Sequence, residues 1–245
     1  MLDDDRSSAL LVSKLLAQLR CEAIVCDTAN EAIEAALDST IDLVTLDISM
    51  PDLDGFQVLS LIRSHELTSR SPSVPVVAVT GLTSIVDQAN IISHGFAAHV
   101  GKPVLLVRLE EVLGRSLLLR SELERMRYTR DRAHVEECVN QLMNRSGASR
   151  THWLLGMAMA IEQQVVVALH QALLAALGRE PTIASMSLQP VIALAQGIGA
   201  TQLAARCRDF AAHAASDNRM IETAAALIRA ELDRVVFTLR ENVLT

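Results

Sequence analysis

Asp47 follows an apolar run, residues 41–46, and opens a loop marked by Pro51 and Gly55 in the stretch IDLVTLDISMPDLDG. A carboxylate carried to the end of a buried strand offers an oxygen that can act as a nucleophile or ligate a hard cation. An ordinary strand ending in a turn would also explain a single Asp next to a Gly. The neighbours at matching places decide between the two. Asp3-Asp4-Asp5 precede the first helical pattern, Thr80 follows Val76-Val77-Ala78-Val79, and Lys102 stands in Gly101-Lys102-Pro103. Acids, a hydroxyl and an ammonium gathered around one nucleophilic oxygen would suit an anionic ligand held through charge neutralisation.

These groups meet only if the strand ends share a rim, so the elements that carry them come next. A helical pattern covers about 6–19, with apolar positions Leu11, Val12, Leu15, Leu16 and Leu19. Residues 23–26 form a short strand candidate, 30–37 a short helix, 41–46 a buried strand and 56–62 the start of another helix. The β-branched run 76–79 lies between Pro75 and Gly81, a helix follows at 85–93, and a final strand lies near 97–100. Alternation of this kind predicts an α/β doubly wound parallel sheet, whose strand C-termini are where ligands bind. From Leu105 the pattern turns helical and stays so. Leu109, Val112, Ser116, Leu119, Leu123 and Met126 follow spacings of three and four, as the last helix of the first domain or as its extension into a coiled linker. Three further stripes predict an all-α helical bundle: Leu154, Ala158, Ile161, Val165, Ala168, Ala172; Leu203, Cys207, Phe210, Ala214; and Ile221, Ala225, Ile228, Leu232, Val235, Leu239. Another helix is expected between Thr182 and Gln196, bent or started by Pro190. The expected domains are 1–118, a helical linker at 119–150 with a break at Ser146-Gly147-Ala148-Ser149, and a bundle at 151–245.

Composition narrows the functional classes. The chain has 245 residues, 50% of them hydrophobic and only 2% aromatic, so its core is aliphatic. A net charge of -7 argues against a surface that tracks phosphates, and DNA binding is not expected. The Arg-rich part, 120–132, interleaves Glu122, Glu124 and Asp131, as a solvated helix face does. Cys21, Cys26, Cys138 and Cys207 have no metal-ligand spacing and read as reduced thiols, which fits the cytoplasm. No basic segment followed by an apolar one opens the chain, so no signal peptide is expected. Residues 153–177 are interrupted by Glu162, Gln163, Gln164, His170 and Gln171 and read as a packed helix rather than a membrane span.

The combination DDD, LDISMPDLDG, AVTG and GKP, in this order, resembles the receiver domain of two-component response regulators over the first ~118 residues. The resemblance implies that Asp47 accepts a phosphoryl group from a phosphohistidine of a sensor histidine kinase or phosphotransfer protein. It implies Mg²⁺ held by Asp3, Asp4, Asp47 and the carbonyl of Ser49, with Lys102 and Thr80 contacting phosphoryl oxygens. It also implies a switch residue at His99, where the family has Tyr or Phe, and whose charge would make the switch pH-sensitive. One departure stands out: the family's central first strand is reduced here to Met1-Leu2. Losing ~3 buried aliphatics costs roughly 5 to 9 kcal/mol. Either the true start lies upstream, which is the favoured expectation, or the acids are poorly anchored.

The second half resembles, more weakly, a histidine phosphotransfer domain. Gly199-Ala200-Thr201-Gln202-Leu203 looks like the segment after that family's active histidine, and counting back places Gln189, which cannot form a phosphoramidate, at the histidine's position. A degenerate module of this kind would bind another signalling protein as an output. His152 or His170 could instead keep a phosphorelay active. A third alternative, an enzyme using Asp47 as a phosphohydrolase nucleophile, lacks the second Asp two residues on, where Ser49 stands. The expectation is a non-enzymatic regulator, with homodimerisation through the helix from Leu105 left open.

Overall fold

The computed structural model describes residues 1–51, 53–69, 74–126, 131–146 and 150–241, with the backbone alone at 67–69, 119–126, 131–133, 143–146, 150–153 and 241. It divides into two units, Met1–Arg125 and Met126–Thr245. The boundary falls inside the stretch that the sequence pattern assigned to a linker.

In the first unit the order is α1 (Arg6–Gln18), α2 (Ala29–Ala36), β1 (Val44–Leu46), α3 (Gly55–Ser69), β2 (Val76–Thr80), α4 (Ile85–Ser93), β3 (Ala98–Gly101) and α5 (Leu106–Met126). The three strands are parallel in the order β1-β2-β3, in the register Leu46 with Ala78, Val79 with Val100, and Thr80 with Gly101. Near-continuous Val and Ala in β2 fit a strand covered on both faces, and all five of its residues are buried. Val77, Val79, Ala98 and Val100 pack with Val12 and Leu16 of α1 and with Leu109, Val112 and Leu113 of α5. Val44, Leu46, Val76 and Ala78 pack with Ile33 of α2, Val58, Leu59 and Ile62 of α3, and Phe96. This is the doubly wound arrangement. Leu11 of α1, expected in the apolar stripe, is 47% exposed.

Two expected strands are reduced to single bridged residues. Of residues 23–26 Cys26 forms a bridge and the Ile24 carbonyl accepts the Met1 amino group at 2.6 Å, while Leu2 lies between Cys26 and Leu46 in parallel bridges to both. The Leu2 N–H donates to the Thr45 carbonyl at 3.0 Å, the Asp47 N–H to the Leu2 carbonyl at 3.0 Å, and the Cys26 N–H to the Met1 carbonyl at 2.9 Å. Leu2, 5% exposed, takes an interior place between Cys26 and β1. The expectation of poorly anchored acids fails for this reason: Asp3 and Asp47 are tied to the same residue's backbone neighbourhood.

The second unit contains α6 (Asp131–Ser146), α7 (Arg150–Leu177), α8 (Pro181–Gly197), α9 (Thr201–His213) and α10 (Asn218–Glu241). Helix α7 packs on α8 and α10, α8 on α9, and α9 on α10, closing a four-helix ring with α6 against α10. Connections of three or four residues make sequence neighbours antiparallel. Every residue of the three predicted stripes is buried. Helix α8 starts at Pro181 and runs on through Pro190. Gly199 turns the chain into α9 at φ +74, and a Cβ there would lie 2.9 Å from the Cys138 Sγ and 3.1 Å from the His134 carbonyl oxygen. Only glycine meets both demands. By length and composition alone Leu154–Leu177, with mean hydropathy 1.3, is sufficient to cross a membrane, which the sequence pattern had discounted, and half of that window is buried inside the bundle.

Candidate functional site

The site forms where the sheet's strands end, beside the start of α1. Asp5 caps α1, its side chain accepting the Ser7 N–H at 2.9 Å. That turn presents Asp3, whose Oδ1 accepts the Asp5 N–H at 3.0 Å and whose Oδ2 accepts the Ser8 hydroxyl at 2.6 Å. Asp47 leaves β1 with its Oδ1 accepting the Ser49 N–H at 3.1 Å. Asp3 and Asp47 are 8% and 5% exposed, while Asp4 is open to solvent. Gly55 lies behind Asp47, where a Cβ would come within 2.5 Å of the Asp47 carbonyl oxygen, so the loop can close on β1 only with glycine there.

Lys102 bridges the two buried acids. Its Nζ lies 2.6 Å from Asp47 Oδ2 and 2.9 Å from Asp3 Oδ2. Burial alone would depress its pKa, but the hydrogen bonds and charges of Asp47 and Asp3 outweigh that and hold the ammonium above the ordinary lysine value. Its backbone N–H donates to the Thr80 carbonyl at 2.8 Å, fixing the lysine to the end of β2. Thr80 itself is fully buried, its Oγ1 accepting the Leu82 N–H at 3.1 Å. The structure thus brings Asp3, Asp4, Asp47 and Lys102 together and sets Thr80 on the same edge.

Carboxylate oxygens of Asp3, Asp4 and Asp47 all lie within 4.8 Å of one another. Against the single ammonium of Lys102, three carboxylates leave two negative charges in excess. That donor set is the one a hard divalent cation takes, oxygen ligands with room left for water.

The remaining expected residues fall elsewhere. His99, opposite Ala78 in β3, is 5% exposed rather than half-open, and strand alternation turns it away from the face of Ala98 and Val100. Gln189 and Pro190 are both exposed on α8. His170 is half-buried on α7, with its Nδ1 enclosed and without a hydrogen-bond partner among the described residues, rather than openly exposed. The His152 side chain and the break at Gly147-Ala148-Ser149 lie outside the described residues. Ser8 was not singled out by the sequence; its one signal is a hydroxyl five residues after Asp3, in the first turn of a helix.

Residues 1–114 match the sequence profile of the response regulator receiver domain. The sensor protein GacS of Pseudomonas syringae pv. syringae is 29% identical over 111 residues, and the signal transduction histidine-protein kinase BarA of Escherichia coli strain K12 is 31% identical over 111 residues. Each alignment takes in 45% of this chain but 12% of the relative's own length. Among solved structures, the receiver domain of the Francisella response regulator 1452 is 20% identical, covering 48% of this chain and 93% of that one, at a TM-score of 0.42.

Proposed function

We propose that this chain, whose residues 1–114 are a response regulator receiver domain, is a phosphorylation-controlled signalling protein whose helical bundle carries the output to another protein. The observation that supports it most is the pocket of three carboxylates within 4.8 Å of one another, with Lys102 Nζ 2.6 Å from Asp47 Oδ2. Asp47 is the phosphoacceptor. One of its oxygens attacks the phosphorus of a phosphohistidine on a histidine kinase or phosphotransfer protein; the O–P bond forms, the N–P bond breaks, and the imidazole leaves to take up a proton.

Asp3, Asp4 and Asp47, with the carbonyl of Ser49, would hold Mg²⁺, which when bound offsets the negative charge of the carboxylates and of the incoming phosphoryl oxygens. Lys102 neutralises a phosphoryl oxygen, moving its ammonium from Asp47 Oδ2 by no more than the length of a hydrogen bond. The Thr80 hydroxyl donates to a second oxygen while its own oxygen keeps the Leu82 N–H. His99 fills the buried switch place on β3. The acceptor role makes the chain a regulator rather than a multiple-turnover enzyme. Four unpaired cysteines fit work in the cytoplasm.

The bundle acts by binding. Gln189 cannot carry phosphate, and the half-buried setting of His170 on α7 disfavours it as an open acceptor. The test is incubation of the whole chain with a small phosphodonor and Mg²⁺, followed by intact mass. Wild type gains one phosphoryl group and Asp47→Ala gains none. Equal, unmodified masses would remove phosphorylation from the account.

A further inference from the structure

The Asp3 carboxylate has three donors in fixed places, the Asp5 N–H, the Lys102 ammonium and one side-chain hydroxyl from α1. Ser8, the third residue of α1, reaches back past the capping Asp5 to place its hydroxyl 2.6 Å from Asp3 Oδ2, the same oxygen that meets Lys102 Nζ at 2.9 Å. The other oxygen, Oδ1, is held by the Asp5 N–H at 3.0 Å. With Oδ1 tied to backbone and Oδ2 tied to both Ser8 and Lys102, the carboxylate plane has one orientation. Remove Lys102 from Oδ2, as a phosphoryl group on Asp47 would by drawing the ammonium to itself, and Ser8 becomes the side chain that still holds that oxygen.

We infer that Ser8 is a positioning residue for the acidic pocket: its hydroxyl sets the orientation of Asp3 and so the affinity of the pocket for a divalent cation. The inference rests on the functional reading given above. An outer partner of a ligating group orients that group without touching the ion, and its loss typically weakens metal binding about 10- to 100-fold. Ser8 acts on Asp3 alone, since the Asp47 carboxylate takes its contacts from Ser49 N–H and Lys102. Its removal therefore raises the Mg²⁺ concentration needed.

The experiment titrates the full chain with Mg²⁺ by calorimetry, without phosphodonor, for wild type, Ser8→Ala, Ser8→Thr and Ser8→Val. Thr and Val have the same shape and differ in the hydroxyl, so their comparison holds even if Ala perturbs the helix start; far-ultraviolet circular dichroism checks the fold of each. Expected is roughly 10-fold weaker binding for Val and Ala, with Thr within about 2-fold of wild type. Val binding as tightly as Thr overturns the inference. A parallel series with acetyl phosphate measures the half-saturating Mg²⁺ for uptake at Asp47. Phosphorylated wild type with an unshifted Val titration overturns the role of Ser8 and supports the functional reading. A wild type that takes no phosphoryl group, while Val still weakens the titration, does the reverse.

Discussion

Two clusters of charged side chains, one in each unit, show what separates a site from a support. In the first unit Asp3, Asp4 and Asp47 gather around the single ammonium of Lys102, and negative charge is left over. In the bundle Arg229 meets Asp233 at 3.0 Å and Glu162 at 3.4 Å, while Arg240 meets Glu162 at 3.3 Å, two cations against two anions. A balanced cluster on helix faces needs no further ion, and its contacts are those of structure. An unbalanced one, half-buried at the end of a sheet, favours a cation beside it, because buried like charges repel without compensation. Excess charge, more than the number of ionised groups, is what separates the two clusters.

The contrast is broken most severely by damage to the core. Phe210 is fully buried in the bundle. Phe210→Ala should lower the bundle's stability by about 3–5 kcal/mol, read as a shifted denaturant midpoint in the fluorescence of Trp153, the chain's single tryptophan. Because every group of the pocket lies in the first unit, phosphoryl uptake at Asp47 should persist. Its loss would show that the division of labour is wrong.

The next effect is on pH. Cys207 is fully buried on α9, and burial pushes its thiol up to about 12 from an ordinary 9.0. The folded state holds this proton more tightly than the unfolded one, so the contribution is whole below the unfolded thiol's pKa. It declines as pH rises through the folded value. The window is therefore pH 9 to 12, worth roughly 4 kcal/mol in all. Denaturant melts followed by Trp153 should show the bundle weakening through that window, and Cys207→Ala, though less stable at neutral pH, should lose that slope. An unchanged slope would mean the thiol is not its source.

Lys102→Ala tests the imbalance directly. Without the ammonium, Asp3 and Asp47 face each other uncompensated, and the first unit should lose ~1–3 kcal/mol in the absence of divalent cation. Added Mg²⁺ should raise its melting temperature by more than it raises that of wild type. Equal gains would contradict the claim that excess charge defines the pocket. In wild type this pairing is whole below the ordinary lysine pKa of 10.5 and fades as pH rises through the elevated folded value.

How much of this could be read from residues alone follows the same division. Long stripes at spacings of three and four announce bundle helices because many positions vote together, and all those named are buried. Asp47 and Lys102 were legible because each stands just past a strand candidate in a marked setting, Asp47 before a loop with Pro51 and Gly55 and Lys102 between Gly101 and Pro103. The first strand was legible only through the resemblance, which put it at Met1-Leu2, because two residues carry no periodicity to read; its pairing with Cys26 and Leu46 appears only in the structure. Helix α6 lies in the expected helical linker because its polar residues outnumber its apolar ones, yet Val135 and Val139, four apart, are each 2% exposed. Ser8 was hidden by ambiguity: a serine in a helix's first turn ordinarily serves the backbone, and only coordinates show it turned to Asp3.

The smallest effect completes the contrast from the balanced side. Arg240→Ala removes one ion pair whose partners, Arg240 and Glu162, have side chains 40% and 36% exposed. At that exposure water and salt screen most of the attraction, so the loss should be below ~1 kcal/mol and smaller still at high ionic strength. Glu162 keeps Arg229 at 3.4 Å, so no carboxylate is stranded. Melting temperature measured with and without Mg²⁺ should therefore fall by the same small amount in both conditions. A Mg²⁺-dependent difference for Arg240→Ala, comparable with that of Lys102→Ala, would mean that the bundle's cluster also holds cations and that charge balance does not tell the two regions apart.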